Sequence, residues 1–145
     1  MNSPSPIPSA GYSGTPLARK LGIAADTRLL ARRAPAEYLD WLAPLPPGVV
    51  HESRLGEQTD VLHLFVDRKV VLATELTQAR QRLRPDAAVW VSWPKKSSKV
   101  PTDITEDTIR EAALPMGYVD IKVCAVSEVW SGLKLVIRKS ERVMM

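Results

Sequence analysis

The sequence contains a single cysteine, Cys124, inside the apolar run IKVCAV. One cysteine excludes an internal disulfide framework and fits a reducing, cytoplasmic setting. No histidine and acid stand near it in sequence to make it a nucleophile, so a small core residue is its simplest role. The two histidines, His51 and His63, lack the spacing of a metal site, and no metal is indicated. His63 alternates within an apolar strand, as a satisfied buried histidine does. No Ser–His–Asp order can be read, so no catalytic residue is assigned, and nothing in the chain names a cofactor. No apolar run reaches the roughly 18 residues of a membrane-spanning helix. The opening MNSPSPIPSA has neither the basic region nor the apolar stretch of a secretory signal. Internal repeats are absent.

A chain of 145 residues suits one core. The net charge of +4 permits an anionic partner without requiring one. Residues 1–12, rich in proline and serine, read as an extended or disordered tail, and 13–145 as one domain. In GYSGTPLARKLGI, Thr15 is placed to cap a short helix, Pro16 to open it and Gly22 to end it. A strand is expected over 27–33. Pro35 then opens a helix with Tyr38, Leu42 and Leu45 on one stripe. VVHES is a short strand, and DVLHLFVD is a continuous apolar run of the kind buried on both faces. Leu72, Leu76, Ala79 and Leu83 follow at helical spacing, with Arg80, Arg82 and Arg84 on the polar side.

AAVWVSWP is the next buried strand. Asp103 and Glu106 fit a capping box for a helix that turns Thr108, Ile109, Ala112 and Ala113 inward. YVDIKVCAVSEVW and GLKLVIRKS are joined too tightly at Ser131 and Gly132 for a crossover, which predicts an antiparallel hairpin. Alternating strands and helices closing on a hairpin give an α/β fold: a three-layer sandwich with a mostly parallel sheet. Only about seven residues separate VVHES from the next strand, fewer than a parallel crossover usually takes. The short strand is therefore irregular, or antiparallel at an edge.

RLRPDAAVWVSWP is similar to the helix-to-strand passage of class I SAM-dependent methyltransferases, and the terminal hairpin resembles theirs. A broader resemblance, carried by GYSGTPLARKLGI, WVSWPKKSSKVPTDITEDTIREAALPMG and VDIKVCAVSEVWSGLKLVIRK, is to the short bacterial proteins of domain of unknown function family 3052. That resemblance implies a Rossmann-like fold and no particular activity. The chain departs from the methyltransferase pattern at its first strand, which ends in Arg32, Arg33 and Pro35. Glycines stand there in cofactor-binding folds, so that backbone can approach the ligand. Glu52, after the second strand, is the one acid placed to mimic a ribose-binding residue. The strand–helix units between methyltransferase strands two and four are missing.

Ligands of open α/β sheets bind beyond the carboxyl ends of the strands. The loops expected there carry Arg32 and Arg33, then Asp67, Arg68 and Lys69, then WPKKSSK. Lys95, Lys96 and Lys99 bring charge, Ser97 and Ser98 hydroxyl donors, and Trp93 a flat face or a core plug. This set suits a phosphate-containing metabolite or a nucleic-acid backbone. A solvated loop that keeps the edge soluble is the plain alternative. Ser13, Gly14 and Thr15 offer a second anion contact at a helix start, where ordinary capping serves equally well. VWSG reads as a hairpin turn. The leading functional expectation is an anion-binding module without membrane contact. A compact methyltransferase-like enzyme is the alternative reading.

Overall fold

The computed structural model describes residues 15–142. The elements run α1 (Leu17–Lys20), β1 (Arg28–Arg32), α2 (Tyr38–Leu42), β2 (Val50–His51), β3 (Val61–Phe65), α3 (Lys69–Arg82), β4 (Ala88–Pro94), α4 (Glu106–Ala113), β5 (Tyr118–Ala125) and β6 (Trp130–Ile137). They build one six-stranded sheet in the order β2-β1-β3-β4-β6-β5. β2, β1, β3 and β4 are mutually parallel, and β6 joins β4 and β5 antiparallel.

The sheet is covered on both faces, which explains its unbroken apolar strands. On one side Leu30, Leu62, Leu64, Val89 and Val91 pack under Leu72, Leu76 and Ala79 of α3 and Ile109 and Ala113 of α4. On the other, Leu29, Val61, Phe65 and Trp90 pack under Leu17 of α1, Leu21 directly after it, and Tyr38 and Leu42 of α2. Every residue of β3 is buried, as two-sided coverage of a central strand requires.

β2 is parallel and at the edge, and its brevity resolves the short connection. Val50 and His51 pair only with Arg28 and Leu29, at the start of β1, and β3 begins at the same level, Val61 opposite Leu29. Residues 52–60 therefore cross β1 without climbing back along it.

Several local expectations are corrected. The capping box of α4 is made by Thr105 and Thr108 rather than Asp103 and Glu106. The Asp103 carboxylate instead accepts the Lys69 N–H at the start of α3, at 2.7 Å. Pro16, not Thr15, occupies the cap position of α1, while Gly22 follows that helix with φ +79°. α3 ends at Arg82, and Arg84 lies beyond it, paired with Asp60 and Asp86. The β5–β6 turn spans 126–129, so Ser131 and Gly132 lie inside β6. Gly132 is there for space. A Cβ at that position would stand 3.1 Å from Val126 Cγ2, 3.3 Å from Trp90 Cε3 and 3.4 Å from Ser92 Oγ.

Candidate functional site: a basic groove on the sheet rim

β1, β3 and β4 run parallel, so the segments that follow them leave from one rim of the sheet. After β4 the chain makes a single tight turn over 96–98 and reverses at Lys99, which takes φ +63°. The Lys95 N–H donates to Val129 O at 2.7 Å, which ties the turn to the β5–β6 hairpin. Ser98 spends its hydroxyl inside the turn, donating to Lys95 O at 2.7 Å and accepting from the Val100 N–H. Ser97 lines a groove of about 710 Å³ together with Trp93, Lys95, Lys96, Thr102, Thr105 and Ser131. The volume falls in the range of small-molecule sites, roughly 300–1,000 Å³. Trp93 is 7% exposed and belongs to the core, so it forms a floor rather than a free stacking face. Lys95, Lys96 and Lys99 enter no ion pair among the described residues. Glu106 also lines the groove, but Arg110 holds its carboxylate in an ion pair, together with Asp107 and Asp120.

Arg32 and Arg33 leave the same rim two strands away, roughly 10 Å across the sheet, and they line no part of this groove. Both fold back onto Glu75 of α3. Arg32 Nη1 reaches Glu75 Oε1 at 2.8 Å and Gln78 Oε1 at 3.2 Å, and Arg33 Nε stands 3.5 Å from Glu75 Oε2. Arg33 takes φ +62°, so the backbone keeps a glycine-type conformation while carrying a long side chain. The cleft there, at the join of β1 and β3, is about 190 Å³ and is lined by Arg33, Phe65, Val66, Asp67, Val71 and Trp130. That is below the usual size of a ligand site. Glu52 sits lower, its N–H bonded to Leu29 O, and its buried carboxylate faces Arg28 Nε at 3.3 Å. Thr15 is exposed at the start of a four-residue helix. Ser13 and Gly14 lie outside the described residues.

Two features of this region were missed by the sequence reading. Glu75 falls three residues after Leu72 on the inward stripe of α3, and a buried acid at such a position requires a cationic partner. Asp103 and Thr102 strap the segment after the lysine turn onto the amino end of α3, Thr102 Oγ1 donating to Asp67 O at 2.8 Å. The anion position of that helix end is thus filled by the chain's own carboxylate.

Beneath the rim lies a closed polar chain. Tyr38 Oη and His63 Nδ1 are 2.9 Å apart, and His63 Nε2 and Ser92 Oγ are 2.7 Å apart. Phe65 stacks on the imidazole at 4.3 Å. All three polar residues are buried, with His63 and Ser92 fully so. Burial pushes the His63 pKa down to about 3 and the Tyr38 pKa upward. His63 is therefore neutral, bonded through both ring nitrogens, and sealed from any substrate, as expected of a satisfied core histidine. Cys124 is half-buried, and burial raises its thiol pKa against the opposing pull of Lys20 and Lys122. Among the described residues no group of three potential metal ligands occurs, and no helix is long and apolar enough to cross a membrane.

The sheet order, the two helical layers and the antiparallel terminal pair define a Rossmann-like α/β fold of the methyltransferase type. Solved structures share it. A putative type 11 methyltransferase from Sulfolobus solfataricus aligns with TM-score 0.60 at 12% identity, over 88% of this chain and 93% of that one. An S-adenosylmethionine-dependent methyltransferase from Clostridium acetobutylicum aligns with TM-score 0.55 at 7% identity, over 83% and 87%. The fibrillarin pre-rRNA processing protein of Methanococcus jannaschii aligns with TM-score 0.53 at 13% identity, over 79% and 68%. No curated protein matches in sequence. Residues 49–139 match the family described as "Protein of unknown function (DUF3052)", and the chain belongs to that family.

Proposed function

We propose that this protein is a Rossmann-like binding protein that holds an anionic ligand, a phosphate-containing metabolite or a nucleic-acid phosphate, in the groove of Trp93, Lys95, Lys96 and Ser97. The observation that carries the reading is the groove itself. It combines ligand-sized volume, two lysines without a carboxylate partner among the described residues, and an acid already neutralised by Arg110. Lys99 adds charge from the end of the turn, and Ser98 shapes the loop through its hydrogen bonds. Arg32 and Arg33, held by Glu75, contribute to the field of the rim and not to direct contact.

The test combines a thermal-shift screen of phosphorylated metabolites and RNA with the variant Lys95→Ala/Lys96→Ala/Lys99→Ala. A ligand bound only by the native state raises the melting temperature. The triple variant is expected to lose that shift and to leave heparin at lower salt than the wild type, because each lost phosphate contact lowers the salt dependence of binding. An unchanged shift and unchanged elution overturn the reading.

The alternative, a compact methyltransferase-like enzyme, is favoured by the fold match and by the glycine-type backbone at Arg33. Saturable binding of S-adenosylmethionine in the micromolar range, measured by calorimetry, supports it. Absence of binding removes it.

A further inference from the structure

A second cationic site lies on the opposite face of the sheet. Lys122 of β5 and Lys134 of β6 are directly paired across the strands, so their side chains leave from the same face. Like charges directly opposite one another destabilise a strand pair, and neither lysine enters an ion pair among the described residues. Their face is the one covered by α1. Lys122 Nζ donates to Lys20 O at 3.3 Å, and Lys134 Nζ stands 3.7 Å from where a Cβ on Gly22 would be. Between α1 and β5 runs an open groove of about 560 Å³, lined by Thr15, Arg19, Lys20, Lys122, Cys124 and their neighbours. Glu106, Asp107 and Asp120 gather instead on Arg110, on the α4 side of the sheet.

We propose that this groove binds an oligophosphate chain, free or as part of a nucleotide, through Arg19 and Lys122 of its lining, supported by Lys134, which stands outside the lining as the cross-strand partner of Lys122. Arg19 and Lys122 line one concave strip and Lys134 stands beside it, a spread of charge that a chain of linked phosphates matches better than a single anion. Among the described residues no aromatic side chain lines the groove, so none of them offers a platform on which to stack a base. The recognised group is the phosphate chain alone. The site is separate from the lysine turn after β4, shares no residue with it, and stands whether or not that groove binds a ligand.

Cys124 is the protein's own reporter. It is the sole cysteine, it lines the groove and it is half-buried. Inorganic tripolyphosphate is expected to slow alkylation of Cys124 by iodoacetamide saturably, at constant ionic strength. Lys122→Ser/Lys134→Ser is expected to raise the half-protecting concentration roughly tenfold or more, the worth of losing a charge-assisted contact. Lys122→Arg/Lys134→Arg keeps the charge and is expected to retain protection, as is Lys95→Ala/Lys96→Ala/Lys99→Ala. Equal protection by a nucleoside triphosphate supports recognition of the chain alone, and protection by the nucleotide only overturns it. Absence of protection in the wild type, protection reproduced by matched sodium chloride, or protection unchanged in the serine variant each refutes the site.

Discussion

His63 makes the stability of this fold sensitive to acid in a defined window. The imidazole is fully buried, hydrogen-bonded on both nitrogens, and its pKa is about 3 in the folded protein against about 6.5 for a free histidine. Between those values the unfolded chain binds a proton that the native chain refuses. Stability therefore rises with pH across the window, is fully present above the unfolded value, and falls by about 1.36 kcal/mol for each pH unit below it. At pH 5 the loss is about 2 kcal/mol, a large part of the roughly 5–15 kcal/mol that holds a domain together. The assay is urea denaturation of the wild type and His63→Gln between pH 7.5 and 5. The variant starts lower, by about 1–3 kcal/mol, because Tyr38 and Ser92 lose a buried partner. Its curve is also flatter, and the difference between the two proteins shrinks as the pH falls. Asp60 does not confuse the result. Burial raises its pKa, but the Arg28 N–H and Arg84 outweigh that and hold it below its ordinary value. Its contribution is present above the unfolded carboxylate pKa and is lost only at lower pH. Parallel curves between pH 6.5 and 5, or a folded-state His63 resonance titrating near 6.5, refute the reasoning.

Glu75→Gln releases Arg32 and Arg33 from their shared carboxylate, and is expected to destabilise the protein by about 1–3 kcal/mol while raising the salt needed to elute it from heparin. Denaturation and chromatography read the two effects separately. Trp93→Ala removes a core side chain under the groove, with an expected cost of about 3–5 kcal/mol in urea unfolding. Asp103→Ala leaves the first N–H of α3 without its acceptor, an expected loss of about 1 kcal/mol. Faster amide exchange over residues 99–104 is expected to accompany it.

The layered architecture was legible because periodicity reports burial. DVLHLFVD and AAVWVSWP are apolar at every step, which only two-sided coverage explains, and the stripe Leu72–Leu76–Ala79 named the covering face of α3. Local punctuation was less legible. Gly132 looked like a turn residue, but its lack of a Cβ answers to Trp90 and Ser92 packed beside it from β4. Asp103 looked like the cap of the nearest helix, yet it caps one that begins 34 residues earlier. The same limit applies to the rim. The order of strands put Arg32, Arg33 and the lysine turn on one edge, but only three-dimensional contact shows that Glu75 claims the arginines. Lys122 and Lys134 became visible as a pair only through the register of β5 on β6.

The Trp90 indole, in the centre of β4, donates to Leu21 O at 2.9 Å, 69 residues away. The stretch before residue 49, which the family match does not reach, thus holds down the middle of the sheet and supplies β1 between β2 and β3. A fragment cut to 49–139 would strip one apolar face bare and leave β2 with no neighbour. Any minimal version made for crystallisation or screening has to begin ahead of Leu17.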